Sequence, residues 1–115
     1  MILTCPPNDI ARAIWIDLLQ PTPAEIEQVR AATGLRVPTE GQISEIESSS
    51  RLAFEEGAFY LSTPLVAVEK DGTHVLTPVG FVYSSRVLVT VRFAPLAAMD
   101  AAHQQAAALR PKTSE

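Results

Sequence analysis

Carboxylates are the side chains of this sequence with the most chemistry to offer. Glu40, Glu45 and Glu47 lie on or beside one short predicted helix, and Glu55 and Glu56 sit in a predicted turn soon after it. A hard cation such as magnesium takes several oxygen ligands in near-octahedral geometry and usually keeps part of its water shell. Nothing in the order of these residues forms a dedicated cage such as an EF-hand loop. One or two carboxylates from each of several chains could still hold a hydrated ion across an interface, whereas each glutamate alone reads as part of a solvated face.

Catalytic chemistry has less to work with. His74 follows the Asp71-Gly72 turn and His103 lies on the last predicted helix, so each reads as an ordinary exposed or half-buried histidine. Cys5 has no neighbouring base to activate it and reads as a small apolar residue. Ser48-Ser49-Ser50 lacks the glycines of a nucleophile elbow, and the few glycines form no phosphate-binding loop. Asp17 interrupts an apolar run and reads as a strand-end carboxylate accepting backbone or cap hydrogen bonds. The sequence does not read as an enzyme.

The elements that would position these residues follow from local pattern. A short strand opens the chain, ended by Pro6-Pro7, and an apolar strand follows over 13–19, suited to burial on both faces. Trp15 is expected in that strand, buried beneath the first helix. Thr22 as N-cap, Pro23 at the first helical position and Glu25 as the returning carboxylate predict that helix over 23–33, closed by Gly34. Thr39 and Gln42 form a second possible capping box, with Ile43 and Ile46 facing inward. Alternation then predicts strands over 51–55, 58–68, 73–83 and 87–93, the middle pair joined at Asp71-Gly72. A two-residue turn there sets Pro64 opposite Val79, beside Pro78. The hairpin should bend or part at that level, with the stretch between the prolines projecting as an arm. An alanine-rich helix from 96 to 109 offers only Leu96, Met99 and Leu109 as large apolar anchors and reads as weakly held.

Size and composition fit that outline. The chain has 115 residues, 47% of them hydrophobic and 19% charged, enough for one domain with a real core. No run approaches the roughly 20 apolar residues of a membrane span, and the start carries no signal-peptide pattern, so the chain reads as soluble. A single cysteine excludes an internal disulfide. The net charge of −4 argues against nucleic acid, which requires a basic surface.

The string Trp15-Ile16-Asp17-Leu18-Leu19-Gln20-Pro21-Thr22-Pro23 resembles the cytoplasmic N-terminal domain of CorA-family divalent-metal transporters. Further segments are similar in the same order: 37–39 and 45–52 to a short helix and polar turn, 55–66 to the next strand pair, and 77–82 with 86–93 to the closing hairpin. The resemblance implies an α+β, three-layer domain, with a mixed, largely antiparallel sheet flanked by helices, over 1–110, and a frayed tail over 111–115. It implies a regulatory role in a magnesium or cobalt transporter on the cytoplasmic side of the inner membrane, in a pentameric funnel sensing intracellular divalent ions. In the family a long stalk helix and two membrane helices, joined near a Gly-Met-Asn loop, follow this domain. Membrane contact would come only through those helices, and the chain by itself is expected as a monomer or weak dimer. Where family members carry an Asp on the short helix that helps bind an interfacial regulatory ion, this chain has Gln42, which leaves Glu40 and Glu45 as the metal ligands, for a weakly held magnesium ion. The other reading is a stand-alone α+β oligomerisation or adaptor domain without metal dependence.

Overall fold

A computed structural model describes residues 1–5, 9–43, 52–55 and 57–108. Six strands form one mixed sheet: β1 (Ile2–Cys5), β2 (Trp15–Leu19), β3 (Leu52–Glu55), β4 (Ala58–Val68), β5 (His74–Tyr83) and β6 (Leu88–Arg92), in spatial order β1-β2-β6-β5-β4-β3. Only β2 and β6 run parallel; every other pairing is antiparallel. The chain makes the β1–β2 hairpin and helix α1 (Pro23–Thr33). It then enters the sheet again at the far edge as β3 and meanders back until β6 closes against β2. Helix α2 (Ala97–Ala108) follows.

Side chains alternate across the strands, so the two sheet faces sort themselves by residue parity. Ile16, Leu18, Val82, Val89 and Val91 point to one face, where Ile26 and Val29 of α1, Val37 and Ile43 complete a buried cluster. On the other face Trp15, Val79 and Phe81 meet Leu96, just before α2, and Met99 within it. Among the described residues the result is three layers, with α1 on one side of the sheet and α2 on the other, as expected. Trp15 is the correction. It lies partly buried on the α2 face, because Ile16 and Leu18 take the positions beneath α1.

Helix α1 has the boundaries that its caps dictate. Thr22 accepts from the Glu25 amide, the Glu25 carboxylate accepts from the Thr22 amide, and Gly34 takes the left-handed conformation at φ 75°. The turn into α1 is less ordinary, for Gln20 has a φ of 44°. Its amide donates to the Arg92 carbonyl and its side chain to the Phe93 carbonyl, which ties this turn to the end of β6.

The β4–β5 hairpin corrects a second expectation. Its loop has three central residues, Lys70, Asp71 and Gly72. The Gly72 amide donates to the Glu69 carbonyl, and Gly72 is left-handed at φ 87°, the geometry of a type I turn with a glycine bulge. The extra residue shifts the register by one, so Pro64 faces Pro78, and the strands stay paired through both prolines. Alternation explains why. Glu69 donates to Thr73 at the closing pair, so five steps along, Pro64 and Pro78 form a non-hydrogen-bonded pair whose nitrogens point away from each other. Each proline instead denies a bond to its outer neighbour. The described β3 pairing ends at Leu61 and the β6 pairing at Val79. Residues 64–78 therefore pair only with each other among the described residues, with Val66, Val68, Val75 and Leu76 exposed, but the stretch does not project freely as expected, because Ala67 is buried against Leu96 and Met99.

Candidate functional site

The surface expected to hold an ion begins at Thr39. The second capping box forms as read: Thr39 donates its amide to Gln42 Oε1 at 3.0 Å, and Gln42 donates its amide to Thr39 Oγ1 at 3.2 Å. A helical turn at 40–43 results, with Glu40 exposed at its start. Gln42 is thus committed to the backbone of its own turn, and its oxygen also accepts from Arg36 Nη1 at 3.4 Å. Arg36 reaches further, donating through Nη2 to Glu55 at 2.6 Å while its guanidinium lies 4.7 Å from the centre of the Tyr60 ring. Glu55 is therefore already paired with a cation. Glu45, Glu47, Ile46, Ser48-Ser49-Ser50 and Glu56 lie outside the described residues, as do Leu109 and the tail over 111–115. Among the described residues no three His, Cys, Asp or Glu side chains converge as metal ligands.

What seats this turn on the sheet is a missing side chain. A Cβ on Gly80 would stand 2.7 Å from Ile43 Cδ1 and 2.9 Å from its Cγ1, well inside ordinary contact. Glycine lets the turn sit directly on β5, with Ile43 fully buried. We expect Gly80→Val to cost about 1–3 kcal/mol by overpacking and to lift the turn that carries Glu40. Urea denaturation together with faster amide exchange at 40–43 measures both effects.

The densest polar arrangement lies on the opposite face, beneath α2. Asp17 and Arg92 are both fully buried, on neighbouring parallel strands. Arg92 donates Nε to Asp17 Oδ2 at 3.0 Å and brings Nη2 within 2.8 Å of the same oxygen. The same Nη2 donates to Asp100 Oδ1 at 2.8 Å, and Nη1 donates to the Leu96 carbonyl at 3.2 Å. Asp17 Oδ1 accepts from Thr90 Oγ1 at 2.8 Å, and that hydroxyl in turn accepts from Trp15 Nε1 at 3.0 Å. His103 stacks on Trp15, centroid to centroid at 3.9 Å and 11° from parallel. Its Nε2 comes within 3.8 Å of Asp17 Oδ2.

This cluster can do little chemistry on a substrate, because every carboxylate oxygen of Asp17 is already engaged. Its evident work is to fasten α2 to the sheet, so the helix expected to be weakly held has an ionic anchor beside Leu96 and Met99. His74, by contrast, is exposed at the start of β5. A sequence signal for the cluster exists. Asp17, Thr90 and Arg92 are polar residues at inward positions of strands whose other inward positions are apolar, and Thr90 and Arg92 are spaced by two, on one face.

A family model described as CorA-like Mg2+ transporter protein matches residues 11–115. The chain is 28% identical over 99 residues to a magnesium transport protein CorA of Wolinella succinogenes, covering 82% of this chain and 30% of that protein. It is 30% identical over 85 residues to the magnesium transport protein CorA of Haemophilus influenzae, covering 74% of this chain and 27% of that one. Among solved structures, the soluble domain of CorA from Methanocaldococcus jannaschii superposes with a TM-score of 0.64 at 16% identity, over 85% of this chain and 38% of that one. Full-length CmaX gives 0.59 at 16%, over 82% and 29%. At those identities the structural likeness speaks for the fold. The chain spans less than a third of the length of these two magnesium transport relatives.

Proposed function

The chain belongs to the CorA-like Mg2+ transporter family, and from that premise we propose that it works as a cytoplasmic regulatory domain of a magnesium or cobalt transporter. Two of its relatives are magnesium transport proteins by name. In this reading cytosolic divalent ions bridge neighbouring copies in a pentameric funnel and favour a closed arrangement by binding it more tightly than the open one. The observation that carries the reading is the family match over 11–115. The helical turn bearing Glu40 adds support, being held at the surface by Gly80, Arg36 and its own capping box while the acidic side chain stays exposed.

Glu40 and Glu45 are the residues that would take the ion, through oxygen and retained water, with a second copy supplying further oxygens. Gln42 is spent on the cap and on Arg36, so a ligand role for it would dismantle the turn. Among the described residues no helix is long and apolar enough to cross a membrane.

Two measurements test the reading. Isothermal titration of this chain with magnesium should show no site tighter than roughly millimolar, since one copy brings too few oxygens together. Tight one-to-one binding would sink the interfacial site. In the complete transporter, the Glu40→Ala/Glu45→Ala double variant should relieve closure by cytosolic magnesium; unchanged inhibition removes these glutamates from the mechanism.

A further inference from the structure

Among the described residues, His103 is the member of the α2 cluster whose Nε2 finds no hydrogen-bond partner. That nitrogen is buried, although the side chain retains 12% of its exposure. The geometry points to α2 as a proton-responsive latch, docked on the sheet while His103 is neutral and loosened when His103 takes up a proton.

Consider what a proton on Nε2 would meet. From β2, Asp17 Oδ2 lies 3.8 Å away, beyond hydrogen-bond reach and already holding Arg92 Nε and Nη2. From β6 comes the Arg92 guanidinium itself, a fixed cation whose three partners, Asp17, Asp100 and the Leu96 carbonyl, all lie inside the cluster. From α2, Asp100 is half exposed and also engaged by Arg92. From β1, the titratable side chain on this face is Cys5, paired in register with Trp15. The β5 residues that pack here, Val79 and Phe81, carry no charge. An imidazolium would therefore have to compete with Arg92 for one carboxylate oxygen, in a place where water cannot reach its nitrogen. The flat stack on Trp15 holds the ring in that position.

The balance of these forces is unfavourable to the proton. Burial lowers the His103 pKa first and Arg92 lowers it further, while Asp17 and Asp100 act against them; the net direction is down. With the docked value below the ordinary imidazole value of about 6.5, docking favours the neutral ring. The stability so gained is present in full above that ordinary value. It is lost as the pH falls below it and through the lowered value. The latch is a property of this chain alone and stands whether or not the ion-sensing role does.

The protein has one tryptophan and two histidines, so Trp15 reports on the latch directly. In the 115-residue chain, lowering the pH from 8 to 5 should change Trp15 fluorescence with a midpoint below 6.5. Protection factors of the α2 amides should fall several-fold while those of α1 hold. His103→Gln should abolish both responses, and His74→Gln should leave both intact. The proposal is overturned if His103→Gln titrates like the parent, or if acidification raises α2 protection. Circular dichroism at pH 8 separates these outcomes from misfolding of the variant, and His103→Leu provides a second replacement that cannot take up a proton if Gln perturbs the stack.

Discussion

Asp17→Ala should destabilise the fold by about 3–5 kcal/mol, the usual consequence of leaving one member of a buried ion pair alone. Arg92 would then be a fully buried cation whose remaining partners are a backbone carbonyl and the half-exposed Asp100. A domain of this size has a total stability on the order of 5–15 kcal/mol, so the loss is a large share of it. Asp100→Ala offers the contrast. It meets the same guanidinium nitrogen at the same 2.8 Å, but its side chain is 53% exposed against 0% for Asp17. Solvent screening should hold that cost to about 1 kcal/mol or less. Replacing the pair together, Asp17→Leu with Arg92→Leu, should recover at least half of the loss, because a buried ion pair contributes little beyond what apolar packing would. Urea melts followed by circular dichroism measure all three. A loss below about 1 kcal/mol for Asp17→Ala would mean that water reaches the pair.

Local chemistry and distant chemistry were not equally legible. Helix α1 was readable to the residue because Thr22, Pro23, Glu25 and Gly34 are neighbours, and each cap acts within one turn. The Thr39–Gln42 box was readable for the same reason. The Asp71-Gly72 hairpin was readable as a hairpin, but its register was not. Whether Gly72 ends a two-residue turn or provides the bulge of a three-residue one depends on the pairing of the whole ribbon. The mixed, largely antiparallel pairing became legible through the family resemblance, but the strand order did not; no local rule brings β6 beside β2.

The ion-pair cluster was hidden by separation along the chain. Asp17 is 73 residues from Thr90 and 75 from Arg92, and only the β2–β6 register sets them side by side. Read by itself, Asp17 is a polar interruption of an apolar strand, and the last helix is a run of alanines with few anchors. The surface around Glu40 was legible because it depends on a cap. The second bond of Gln42, to Arg36, was not, since it needs the fold of 36–42.

The placement of Trp15 carries the second large effect. Trp15→Ala should cost about 3 kcal/mol, toward the lower end for removal of a large aromatic side chain, because the ring is only partly buried. Where that loss appears decides between two arrangements. If the indole lay under α1, its removal would loosen α1; in the structure it supports α2, stacking on His103 and packing with Leu96 and Met99. Hydrogen exchange in Trp15→Ala should therefore show α2 losing protection first, with α1 close to the parent. Leu18→Ala, on the opposite face and fully buried in the α1 cluster, should cost about 2–5 kcal/mol and reverse the order. Trp15→Phe keeps an aromatic ring against His103 but loses the Nε1 donor to Thr90 and part of the indole's volume, so it should cost about 1–2 kcal/mol and leave α2 docked. Thr90 can still donate to Asp17 in that variant, because its hydroxyl loses an incoming bond and not its outgoing one. Equal loss of protection in both helices of Trp15→Ala would reject the two-faced division of the core.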